Sequence, residues 1–144
     1  MKNAARLNFF IGAGGMIAAV VAALALGITF ETYGQHDGNY VFSVVRFFLR
    51  FAHTHGMPLS LYNLIVGLAL LQLTLSKREA RAASWGAALT WTVPLVMTAK
   101  GAAGAPEGFP HVEIIGIVGL VVSAVVLLRG AARLVRPEPV TAQS

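Results

Sequence analysis

Four long stretches of nearly unbroken apolar residues, separated by short polar segments, set the pattern of this chain. They run from about Leu7 to Phe30, Val41 to Leu75, Ala82 to Ala99 and His111 to Val135. The first, third and fourth are close to the roughly 20 residues that a helix needs to cross the hydrocarbon of a bilayer, and the second, if its membrane part starts between Val41 and Pro58, contains such a length. Connectors this short join antiparallel neighbours. The pattern predicts an all-α fold, an integral membrane four-helix up-down bundle over residues 1–136, followed by a flexible tail at 137–144. The second stretch is the longest. As one helix, 41–75 would measure roughly 52 Å at 1.5 Å per residue, more than the hydrocarbon. Its first part is therefore expected to lie at the interface, with a bend near Gly56-Met57-Pro58, because proline removes a donor and crowds the preceding turn.

Composition reinforces this reading. Of 144 residues, 56% are hydrophobic and 12% charged, and the mean hydropathy is +0.70. A soluble domain carries about twice that share of charge, and a chain this short cannot hide so much apolar surface in a core of its own. The absence of cysteine excludes disulfides, thiolate metal sites, iron–sulfur clusters and cysteine nucleophiles. The net charge of +5 does not indicate nucleic-acid binding, since the basic residues gather at helix ends instead of on a soluble surface. Lys2, Arg6, Lys77, Arg78, Arg81, Arg129, Arg133 and Arg136 fall on one side if the helices alternate, against Arg46, Arg50 and Lys100 on the other. The positive-inside rule then puts both termini in the cytoplasm and the protein in the cell inner (plasma) membrane. The first stretch exceeds the ~7–15 apolar residues of a signal peptide and is expected to remain as a helix.

Small residues supply packing faces. Gly15, Ala19, Ala23 and Gly27 form a stripe on the first helix, and Gly116, Gly119 and Ser123 a second on the last. Such stripes let helix backbones approach closely in lipid.

Ionisable groups at membrane depth are costly and turn to the bundle interior. On the expected topology all four histidines lie toward the outer side, with Glu31, Asp37, Arg46, Arg50, Glu107 and Glu113. His36, within Gly34-Gln35-His36-Asp37-Gly38, reads as loop chemistry. Helical spacing puts Ser43, Arg46, Arg50 and His53 on one face, continued by Ser60, Asn63 and Gly67. His55 falls about 200° around, beside Leu59 and Tyr62, so a straight helix keeps the two histidines apart and a broken one would let them converge. His111 opens the last helix at the same level. Arg46 and Arg50 suit interfacial snorkelling or pairing with anionic groups. Glu113 reads as a metal ligand beside the histidines, an orienting partner of His111, or an ion-pair partner of Lys100.

The segment Ala52-His53-Thr54-His55-Gly56 resembles the His-x-His helix of the haem-copper oxidase and nitric oxide reductase large subunits. With Gly108-Phe109-Pro110-His111 it is more similar to small four-helix bacterial membrane proteins that carry a His-Thr-His element on helix two. Gly56-Met57-Pro58 departs from the oxidase pattern, and no copper-site histidine cluster follows, so oxygen reduction does not carry over. The resemblance implies that His53, His55 and His111 are candidate ligands. Three readings stay open. The first is a b-type haem protein, with haem b held by His53 or His55 and His111, Arg46 and Arg50 serving its propionates, in electron transfer, gas sensing or quinone chemistry. The second is a non-haem zinc, copper or iron site of His53, His55, His111 and Glu113 acting on a lipid or quinone. The third is a non-catalytic accessory subunit or small transporter, within a homo-oligomer or larger membrane complex.

Overall fold

A computed structural model describes residues 2–34, 44–104 and 106–134. His36, Asp37, Ser43, Arg136 and the expected tail lie outside the described residues, as does the side chain of Glu31. The described chain is all-α, with no strand. Its helices are α1 (Lys2–Gly34), α2 (Val44–Gln72), α3 (Lys77–Leu89), α4 (Thr92–Ala102) and α5 (Glu113–Leu134). Three of them are long and apolar enough to cross a membrane, over Lys2–Ile28, Arg46–Gln72 and Glu113–Leu134.

The third apolar stretch is one helix in the sequence pattern and two in the structure. Pro94 has no N–H to return to the Thr90 carbonyl, and the hydroxyls of Thr90 and Thr92 bond the carbonyls of Ala87 and Leu89 at 2.7 and 2.8 Å. The amides of Thr90 and Trp91 reach back only three residues, to Ala87 and Ala88. Both residues keep right-handed helical angles, so the chain tightens for one turn and continues as α4. In contrast, α2 runs unbroken from Val44 to Gln72 with Pro58 inside it.

Contacts fix the order of packing. Along α1, Ala5, Gly12 and Ala19 meet Gly67, Ser60 and Gly56 of α2, so these helices are antiparallel. Asn63 of α2 meets Ala87 and Thr90, and Gly56 meets Pro94, which makes α3–α4 antiparallel to α2. Gly86 of α3 packs directly against Gly119 and Ser123 of α5, and Arg133 returns to Glu79. Up-down connectivity follows. The basic ends of α1, α3 and α5 share one end of the bundle; Arg46, Arg50 and Lys100 share the other.

The interior is built of small and polar residues. Fully buried positions include Asn8, Ser60, Asn63, Ser84, Thr90 and Ser123 beside Ala83 and Ala87, whereas Phe10, Ile17, Leu61, Leu68, Val121 and Leu128 are exposed. In water this arrangement would expose most of the large apolar side chains, and in hydrocarbon it satisfies both faces. α3 begins at a capping box: the Glu79 amide donates to Ser76 Oγ (3.3 Å) and the Ser76 amide to Glu79 Oε2 (2.9 Å).

Candidate functional site

Because α2 continues helically through Gly56-Met57-Pro58, His53 and His55 remain on different faces. His53 turns toward α1, where its Nδ1 lies 2.9 Å from the Ala19 carbonyl. A carbonyl can only accept, so Nδ1 carries a proton, and in the neutral ring Nε2 is the nitrogen with the lone pair. That nitrogen has no hydrogen-bond partner among the described residues. Ala19, a small buried residue on the expected stripe, lets the imidazole reach the backbone of α1.

Two clefts meet at His53. One, of about 280 Å³, is lined by Ala23, Leu26, Gly27, Arg46, Arg50 and Thr54 together with His53. The other, of about 240 Å³, lies deeper between α1, α2 and α4, against Ala19, Ala52, Gly56, Trp91, Pro94 and Leu95. Arg46 is 5% exposed, and its Nη2 donates to the Leu26 carbonyl at 3.3 Å. Arg50 is exposed at the rim. Lys100 of α4 sits over the Phe48 ring at 5.4 Å and brings a further cation to this end. An apolar floor, a free imidazole nitrogen and a cationic mouth suit a ligand with an apolar body and an anionic edge.

His55 stacks on Phe51 one turn earlier, ring centroids 3.9 Å apart, with Nδ1 2.9 Å from the Phe51 carbonyl. It lines neither cleft. His111 is exposed and pairs through Nδ1 with Glu113 Oε1 at 2.9 Å, a contact compatible with one of the three roles the sequence left open for that carboxylate. α2 packs on α1, α3 and α4, whereas α5 packs on α3 and α4. The structure thus joins His53 with Arg46 and Arg50, and places His55 and the His111–Glu113 pair elsewhere. Among the described residues no three His, Cys, Asp or Glu side chains group closely enough to hold a metal ion.

Polar residues hold the bundle beneath the clefts, and of these the sequence reading singled out Ser60 and Asn63 but not Asn8, Ser84 or Trp91. Asn8 Nδ2 donates to Ser84 Oγ (2.7 Å), and Ser84 donates to the Ala4 carbonyl (3.1 Å). Asn63 Nδ2 reaches the Ala87 carbonyl (3.0 Å) and Thr90 Oγ1 (3.2 Å). Trp91, whose indole N–H is buried without an acceptor among the described residues, fills the space against Gly15. A signal existed: Asn8, Gly12, Gly15 and Ala19 recur at helical spacing on one face of α1. No family model, curated protein or solved structure matches this chain.

Proposed function

We propose that the chain is a four-pass protein of a bacterial inner membrane, both termini cytoplasmic, that holds a b-type haem in the clefts around His53. The α3–α4 pair would make the fourth crossing, and the distribution of basic residues sets the orientation. The observation that carries the haem reading is the His53 imidazole. Its Nδ1–H is committed to a backbone carbonyl and its Nε2 is left free beside two arginines, which is how proteins fix the tautomer and direction of a ligating histidine.

In this reading His53 would ligate the haem iron and the apolar walls of α1, α2 and α4 would hold the ring. Arg46 and Arg50 receive the propionates. The haem would supply one-electron chemistry at the outer side of the membrane. His111, exposed and paired with Glu113, is not assigned as a second ligand in this reading. A zinc, copper or iron site built from His53, His55, His111 and Glu113 is less well supported, since those side chains occupy three separate places.

Haem quantification on protein purified in mild detergent tests the proposal. About one haem per chain in the native protein, lost in His53→Ala and kept in His55→Ala, is the expected result. Haem-free protein with stoichiometric zinc or copper would overturn it in favour of a different metal protein. A sample lacking both would leave a structural or transport role for the histidine.

A further inference from the structure

A second cleft lies at the opposite end of the bundle, away from His53. It occupies about 400 Å³ between the first turns of α1 and α3, and its walls include Asn3, Leu7, Lys77, Arg81, Ser84 and Trp85. Lys77 and Arg81 stand four residues apart on one face of α3, and both line the cleft. Neither has an acidic partner among the described residues. The carboxylate closest in sequence, Glu79, is turned to α5, where Arg133 grips it from both guanidinium nitrogens at 2.6 and 3.1 Å. The fold neutralises Arg133 and leaves the Lys77–Arg81 pair facing open space.

Trp85, 57% exposed, is the hinge of the site. Its indole is also a wall of an apolar groove of about 400 Å³ between α3 and α5, lined by Leu89, Ile115, Val118 and Val122. A cationic box and a hydrocarbon-lined groove thus adjoin at one tryptophan, the residue type that settles at the headgroup level of bilayers. The large apolar side chains exposed along α5 put this groove in contact with acyl chains.

We propose that this is a binding site for an anionic phospholipid. The phosphate would sit between Lys77 and Arg81, Asn3 and the Ser84 edge would face its polar linkage, and one acyl chain would follow the groove past Trp85. Charge complementarity chooses the occupant: two uncompensated cations select a lipid with net negative charge over a zwitterion, and the groove selects a lipid over a free anion. The site is independent of the haem reading and needs only that the bundle sits in a bilayer.

Native mass spectrometry of the full chain, released from micelles after exchange with phosphatidylglycerol or phosphatidylcholine, tests the site. The native protein is expected to retain phosphatidylglycerol preferentially. The double variant Lys77→Gln/Arg81→Gln should lose about thirtyfold in that preference, roughly fivefold per basic residue. Arg78→Gln/Arg129→Gln, with the same change of net charge outside the cleft, should keep it. Equal losses in the two double variants would overturn the proposal in favour of diffuse surface charge. Equal retention of both lipids, or displacement of the lipid by millimolar inorganic phosphate, would overturn it as well. Should the first variant fail to fold, the exchange Lys77→Arg/Arg81→Lys preserves the charge pair and must keep the preference.

Discussion

The interface between α3 and α5 and the wedge between α1, α2 and α4 around His53 are both built from small residues, yet they end differently. At α3–α5 the small residues are used up in contact: a Cβ at Gly86 would meet the Gly119 carbonyl, and one at Gly116 would strike Thr92 and the Leu89 carbonyl. The end of that interface is closed by the Glu79–Arg133 pair over the capping box. Near His53 the same kind of residue leaves room. Ala23 and Gly27 border a cleft instead of a helix, and a Cβ at Gly27 would meet nothing. A glycine stripe is therefore not one device. Where a partner backbone fills it, it is packing; beside His53, Arg46 and Arg50 it borders an open cleft.

Substitutions at the two regions should separate these roles. The largest effect is expected from His53→Ala, which removes the free Nε2 and should abolish cofactor retention, while His111→Ala leaves it intact; absorbance per chain reads both. Gly86→Leu comes next. It forces a side chain into the α5 backbone and should destabilise the bundle by about 1–3 kcal/mol, the range for overpacking, measured by denaturant unfolding in detergent. The His53 cleft of the surviving folded fraction should still bind. Asn63→Leu removes the bonds to Ala87 and Thr90 and should cost about 0.6–1.7 kcal/mol, as buried side-chain bonds between membrane helices do. If it cost nothing, the polar row beneath the cleft would be incidental to the fold.

The smallest effect belongs to pH. The hydrogen bonds from Arg133, and then those from Ser76, hold the Glu79 carboxyl down from an ordinary 4.5 to about 2. A depressed carboxylate stabilises the fold above its unfolded value and loses that contribution as it is protonated. The α3–α5 interface should therefore be insensitive above about pH 4.5 and weaken progressively from there toward pH 2. Arg133→Gln should flatten that dependence, and thermal unfolding across the range checks it.

Much of the fold was legible in the sequence, and the reason is physical. Apolar length and the sidedness of basic residues report on the bilayer, so the helices, their antiparallel order and the grouping of basic ends could be read directly. The break at Thr90–Trp91 was missed although Pro94 announced it, because the surrounding residues are as apolar as those of an intact helix. Within the site, the Ser43–Arg46–Arg50–His53 face was legible as far as its described members, since helical spacing alone sets it. The expected layer joining His53, His55 and His111 was not realised as one cluster. Level along the membrane normal can be read from topology, but position around the bundle depends on which helices touch, and hydrophobic pattern alone does not set that. Asn8, Ser84 and Trp91 escaped notice because the polar residues singled out were mainly the ionisable ones.

The most direct test of the central claim is a visible spectrum, oxidised and dithionite-reduced, of the native protein and His53→Ala purified side by side in mild detergent. A Soret band that shifts on reduction in the native protein and is missing from the variant is the predicted result. A native protein without a Soret band, or a band unchanged by His53→Ala, would contradict the assignment of His53 as the haem ligand.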